Sequence, residues 1–149
     1  MKNLLLPTDT SLDAINWKRL MLAALAGAVA WTIASVLLGV DPFAYGAVLL
    51  PDASETVQDI AGGITVFLAC LLFALIWVLF FVPVTVWSYV VKLIIAALAI
   101  TTLSHLFMPG EPALSVKATW IRFITFVIAL LVISLVYEGL PWKKRGDSD

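Results

Sequence analysis

Four side chains that could carry chemistry lie within long apolar stretches of the sequence: Lys92, His105, Arg122 and Glu138. An ionisable group is expensive to bury in lipid, so each is a candidate functional residue if these stretches cross a membrane. Lys92 and Glu138 fall towards one side of that membrane, and His105 and Arg122 fall towards the other. The sequence therefore predicts two polar pairs, one at each side.

The pair formed by Lys92 and Glu138 has two interpretations. In the first, the two side chains interact and relay a proton or a polar substrate. In the second, the lysine extends towards the lipid headgroups and the glutamate lies at the water boundary, each as an independent anchor. Both residues lie close to the same interface, and this position favours anchoring.

The pair formed by His105 and Arg122 is also open to two interpretations. At similar depth and facing an acidic loop, the two could bind an anion or a quinone headgroup, or His105 could take up protons. Alternatively, both are amphipathic side chains that anchor their helices at the interface. A single axial haem ligand at His105 is conceivable, but nothing in the surrounding residues supports it.

The sequence offers no support for catalysis. The single histidine excludes a bis-histidine haem within one chain, and the single cysteine, Cys70, excludes an intrachain disulfide. Ser104 and His105 do not form a catalytic pair, because adjacent residues on a helix point apart. No metal-binding cluster, phosphate-binding loop or redox motif is present. We therefore expect a protein that is not an enzyme and that holds no metal or cofactor.

The composition is that of an integral membrane protein. Of the 149 residues, 62% are hydrophobic and 13% are charged, whereas a typical soluble domain has about a quarter of its residues charged. The mean hydropathy is +1.06. The net charge of −1 argues against a nucleic-acid partner, which would require a basic surface.

The stretch 60–108 determines the topology. Its 49 residues carry one formal charge, at Lys92. A single helix of this length would be about 73 Å long, although a bilayer core is only about 30 Å thick. Pro83 marks a turn, since proline disfavours helix at the residue before it. Trp77, Trp87 and Tyr89 flank this turn as interfacial aromatic residues would.

We predict an all-α integral membrane protein that forms a single membrane domain, with four transmembrane helices arranged as two antiparallel hairpins. The predicted spans are 20–40, 60–82, 84–108 and 118–140. The remaining segments are a cytoplasmic or interfacial segment 1–19, an acidic outer loop 41–59, an outer loop 109–117 and a cytoplasmic tail 141–149.

The distribution of positive charge predicts the orientation. With the N-terminus inside, seven lysine and arginine residues lie on the inner side and two, Lys117 and Arg122, lie on the outer side. Because positive residues accumulate on the cytoplasmic side, both termini are predicted to be cytoplasmic. A bacterial inner membrane is the expected location.

The first predicted span carries a face of small residues. Ala26, Ala30 and Ala34 repeat every four positions and would lie on one side of the helix. Small residues allow close helix approach, so this face is a candidate surface for another subunit or a second copy of the chain. The alternative is an alanine-rich span with no special partner.

Two classes of function follow. The first is a non-catalytic accessory, assembly or scaffold subunit that packs against other membrane proteins or itself within the lipid bilayer. The second is a small homo-oligomeric transporter or channel; a holin-like or immunity protein is a weaker third alternative. Transport pathways usually place ionisable groups near the bilayer centre. Here the candidate charged groups lie towards the ends of the spans, which favours the first class.

Overall fold

The computed structural model describes residues 15–80, 86–106 and 116–138, and within these ranges the chain is all-helical, with no strand. The helices are α1 (Trp17–Leu37), α2 (Ala44–Leu49), α3 (Glu55–Phe80), α4 (Val86–Leu106) and α5 (Val116–Glu138). All except α2 are long and apolar enough to cross a membrane. The chain is therefore an integral membrane protein, as its composition predicts.

Local interactions set both ends of α1. The Asn16 side chain accepts a hydrogen bond of 3.1 Å from the backbone N–H of Arg19, which caps one of the free donors at the helix start. Gly39 follows the helix with a φ of +73°, a left-handed conformation that glycine adopts at little cost. The chain thus leaves α1 by a sharp turn into the connection that carries α2.

The connection between α1 and α3 folds back onto the start of α3. Gly46 of α2 lies against the backbone of Gln58, and Gly62 of α3 lies against the backbone of Phe43, so closely that a β-carbon at either glycine would overlap these atoms. The Gln58 side-chain amide contacts the carbonyl oxygens of Leu50, Pro51 and Ala53 at 3.0–3.2 Å. We call the side of the molecule that carries this connection the loop end, and the opposite side the base.

Helix α5 is the centre of the bundle. It contacts α1 most extensively and also contacts α3 and α4. Helix α3 packs on α1, whereas the Cα atoms of α4 stay more than 8 Å from those of α3 throughout the described residues. The backbone of α4 therefore lies closest to that of α5, and α4 meets α3 through side chains alone, as in the contact between Tyr89 and Trp77. The side chains exposed around the bundle are predominantly large and apolar, as contact with lipid requires.

The structure adds detail to the predicted connections. Helix α3 begins at Glu55, upstream of the predicted span 60–82, and its acidic first residue lies favourably at the positive end of the helix dipole. The predicted turn at Pro83 lies outside the described residues. So do residues 1–14, 107–115 and 139–149, which include four of the nine lysine and arginine residues used to predict the orientation.

Candidate functional site

A cavity of about 430 Å³ lies at the loop end of the bundle. Its walls come from all four long helices and from the connection after α1. It includes Thr65, Ala69 and Leu72 of α3 on one side and Ile100 and Ser104 of α4 on the other. Because the Cα atoms of α3 and α4 stay more than 8 Å apart, the cavity occupies the wedge between the two helices.

Three aromatic rings from three helices form the deep end of this cavity. Trp31 of α1 stacks on Phe73 of α3 with 6.2 Å between ring centroids. Phe126 of α5 meets both rings edge-on, at 5.0 Å from Trp31 and 6.1 Å from Phe73. Such edge-to-face contacts are favourable for aromatic pairs. We call Trp31, Phe73 and Phe126 the aromatic triad.

The other end of the cavity carries charge. Arg122 of α5 and Asp41 from the connection both line it. The Asp41 carboxylate accepts a hydrogen bond of 2.8 Å from the backbone N–H of Phe43, so this acid is partly engaged by its own loop. The predicted outer residue Arg122 therefore lies at a cavity with an apolar interior.

The hydroxyl groups in the cavity wall are satisfied by their own helices. Thr65 donates to the Ala61 carbonyl at 2.8 Å. Ser104 donates to the Thr101 carbonyl at 2.7 Å. Thr125 likewise donates to backbone carbonyls one turn before it in α5. These three side chains can therefore line an apolar ligand without losing a hydrogen bond.

A second polar region lies near the base, between α4 and α5. The hydroxyls of Tyr89 and Ser134 form a buried hydrogen bond. Ser134 donates to the Leu131 carbonyl at 2.9 Å, which identifies Tyr89 as the donor to Ser134. Glu138 lies one turn after Ser134 on the same helix. Tyr89, Ser134 and Glu138 thus form a polar group at the α4–α5 interface.

Lys92 lies one turn after Tyr89 on α4 and is only 8% exposed. Its side chain is therefore inside the bundle, not spread along the lipid-facing surface. Whether Lys92 and Glu138 contact each other directly stays a prediction. The backbone of His105 lies in the last turn of α4, but its side chain is outside the described part of the structure.

The small residues of α1 lie wholly or partly inside the bundle of this chain. Ala34 is buried, and Ala26 and Ala30 are half-buried. Gly27, on the same helix, lies so close to α5 that a β-carbon there would overlap the Ile133 side chain. Whether Ala26, Ala30 and Ala34 also meet another protein stays a prediction.

The burial of two aromatic side chains near the base was not predicted from the sequence. Trp77 and Tyr89, expected at the interface, are 1% and 7% exposed and pack edge-on inside the bundle at 5.9 Å, whereas Trp87 is 80% exposed. The hydrogen bond to Ser134 is the physical reason that the Tyr89 hydroxyl can be buried. A serine within the apolar run of α5 was the available signal, although it does not identify the partner.

A further polar contact ties α1 to α5 at the base. The backbone N–H of Asn16 donates to the Tyr137 hydroxyl at 3.3 Å, and the Arg19 guanidinium approaches the Tyr137 carbonyl at 3.5 Å. These contacts place the start of α1 beside the end of α5. They hold the helices together and leave the cavity at the loop end as the main candidate for ligand binding.

Comparisons with models of known protein families, with curated proteins and with solved structures found no match to this chain.

Proposed function

We propose that this chain is a non-catalytic accessory, assembly or scaffold subunit that packs against other membrane proteins or against copies of itself. In this proposal its four spans form two antiparallel hairpins in a bacterial inner membrane, with both termini in the cytoplasm. The observation that supports the proposal is the aromatic triad, which fills the interior between the loop-end cavity and the polar group at the base.

The position of the triad argues against a transport pathway through a single chain. Transport sites usually combine polar groups and irregular backbone near the bilayer midplane. Here Trp31, Phe73 and Phe126 pack together at the deep end of the cavity. Tyr89, Ser134 and Glu138 lie beyond them, towards the base. A closed interior suits a protein that acts by binding.

Helix α4 is the preferred surface for a partner, which we take to be a transmembrane helix of another membrane protein. Among the described helices only α5 approaches the backbone of α4, and the face of α4 that points away from the bundle is not covered by the described part of the chain. Val91, Ile95 and Leu98 are exposed on that face. Packing against a second helix would give α4 the neighbour that it lacks within this chain.

The test is cysteine cross-linking in native membranes, in a background in which buried Cys70 is replaced by alanine. Cysteine at Ile95 on α4, which is 53% exposed, is compared with cysteine at Leu68 on α3, which is 55% exposed. We expect benzophenone maleimide, attached to the cysteine and then illuminated so that it inserts into C–H bonds of a neighbouring protein, to give a defined product from Ile95→Cys and none from Leu68→Cys. Absence of a product from Ile95→Cys, together with a monomer after mild detergent extraction, would contradict the proposal.

The second candidate is a homo-oligomeric transporter or channel, and the burial of Lys92 favours it. An interfacial anchor would extend its ammonium group to the headgroups, but Lys92 lies inside the bundle. Because the triad blocks the interior of a single protein chain, a transport pathway would have to run between neighbouring copies of the protein. A clean homo-oligomer with solute flux in liposomes that Lys92→Met abolishes would support this candidate over the first.

A further inference from the structure

We infer that the loop-end cavity binds one anionic amphiphile from the adjacent leaflet, with its hydrocarbon chain between α3 and α4 and its charged headgroup at Arg122. This inference concerns a ligand site and holds whether or not the chain is an accessory subunit. It is carried by the volume of the cavity, by its position in the wedge between two helices, and by the separation of charged and apolar lining.

The size of the cavity fits a small lipophilic ligand. Its volume of about 430 Å³ lies within the range of about 300–1,000 Å³ that is usual for ligand pockets. Along α3 it extends from Thr65 to Phe73, which corresponds to about 12 Å of helix. A whole transmembrane helix, with a diameter of about 10–12 Å, would not fit this volume, whereas a single hydrocarbon chain would.

The position of the cavity gives a route from the membrane. Both walls of the wedge belong to spans that face lipid, as the exposed residues Leu72 on α3 and Leu103 on α4 show, and both residues also line the cavity. An acyl or isoprenoid chain can therefore enter sideways between α3 and α4 without crossing the polar loop. The aromatic triad blocks further entry of the hydrocarbon chain at the deep end of the cavity.

The lining of the cavity has an apolar part and a charged end, as an amphiphilic ligand requires. The hydroxyls of Thr65, Ser104 and Thr125 are engaged by backbone carbonyls, so they present no unmet donor to a hydrocarbon chain. Arg122 is the one cationic side chain among the described residues that line the cavity. Arginine binds phosphate and carboxylate through charge-assisted hydrogen bonds. Asp41, the acidic residue in the lining, is partly engaged by the backbone of Phe43.

The test measures lipid retention by native mass spectrometry of the full chain in a neutral maltoside detergent. The probes are dioleoyl phosphatidylglycerol, dioleoyl phosphatidylcholine and glycerol phosphate, which separate an anionic headgroup, the same chains with a zwitterionic headgroup, and a headgroup without chains. We expect one phosphatidylglycerol per chain, retained about tenfold more tightly than phosphatidylcholine, as one charge-assisted contact implies. Glycerol phosphate is not expected to be retained.

Two variants locate the site, each with a matched control. Arg122→Gln should remove the preference for phosphatidylglycerol, whereas Arg122→Lys should keep most of it. Ala69→Trp places a bulky ring in the cavity and should abolish retention of both lipids, whereas Ala99→Trp on the exposed face of α4 should not. If Ala69→Trp does not fold, the two Arg122 variants decide the question.

Three results would overturn the inference. They are equal retention of the two lipids by the unaltered chain, unchanged phosphatidylglycerol retention in a folded Ala69→Trp variant, and an unchanged preference in Arg122→Gln. Retention of glycerol phosphate to the same extent as phosphatidylglycerol would assign the site to a free anion instead of an amphiphile. None of these results bears on partner cross-linking through α4, so failure of this inference is distinguishable from failure of the accessory role.

Discussion

Gly27 of α1 lies so close to Ile133 of α5 that a β-carbon at position 27 would overlap the Ile133 side chain. Ile133 is fully buried, and the carbonyl of Ala129 lies on the same side. The most extensive helix contact in the bundle thus includes a glycine that permits close packing, as small residues do between membrane helices.

The first prediction concerns this contact. Gly27→Ala should lower the unfolding free energy by about 1–3 kcal/mol, since added volume in a packed interface forces side chains out of position. Gly63→Ala is the matched control, because a β-carbon there would make only ordinary contact, at 3.8 Å from the Phe43 ring. Thermal unfolding in detergent measures both effects. In a protein that already carries Ile133→Ala, Gly27→Ala should lower the unfolding free energy by less than it does alone. Purely additive losses would count against the contact.

The hydrogen bond between Tyr89 and Ser134 should couple α4 to α5. A double-mutant cycle with Tyr89→Phe and Ser134→Ala should give a coupling energy of about 0.6 kcal/mol, the mean for such bonds between membrane helices. Thr102→Ala is the control, because the Thr102 hydroxyl donates to Leu98 of its own helix. A coupling energy of zero would show that the hydrogen bond does not stabilise the interface between α4 and α5.

The sequence predicted the presence of four apolar helices, but it did not predict which helices pack against one another. Runs of uncharged residues identify membrane segments because charged side chains are costly to bury in lipid. Such segments are helical because every backbone polar group must be satisfied within the segment. The same runs are apolar on all sides, so they do not indicate which face meets protein. Ala26, Ala30 and Ala34 form a regular small-residue face, yet a close contact with α5 lies at Gly27, outside that series.

The cavity could not be predicted because it depends on the distance between helices. Arg122 was identified as a candidate from its charge alone. Its role at the mouth of a cavity depends on the separation of α3 from α4, which no local pattern specifies. The aromatic triad likewise brings together rings that are distant in sequence on three helices.

The predicted pair Lys92 and Glu138 is testable in the same way. If their side chains interact, Lys92→Met and Glu138→Gln should show coupling in thermal unfolding, of less than about 1 kcal/mol for a pair with one half-exposed partner. Additive effects would mean two independent residues. Strong coupling together with lost activity in cells would favour the transport candidate.

The topology prediction requires reporter fusions. A fusion at Gly146 should report the cytoplasm, and a fusion near Ser54 should report the opposite side, because positive residues accumulate on the cytoplasmic side. Cysteines placed from Phe80 to Val86 should include a position labelled from the cytoplasm, as a turn at Pro83 requires. If Gly146 and Ser54 report the same side, the number of spans is wrong.

The last prediction tests the closure of the interior. Phe126 is buried and contacts both Trp31 and Phe73, so Phe126→Ala removes the ring that joins the triad. We expect a loss of unfolding free energy towards the upper part of the range of about 3–5 kcal/mol that is usual for removing a buried phenylalanine. Phe123→Ala is the control one turn earlier in α5, where a half-buried ring pairs with the exposed Trp120 at 5.8 Å. Its loss should be clearly smaller, since Trp120 faces lipid and can be solvated by it. Equal losses in thermal unfolding would mean that the triad is no more important to the bundle than a surface pair, and that it does not close the interior.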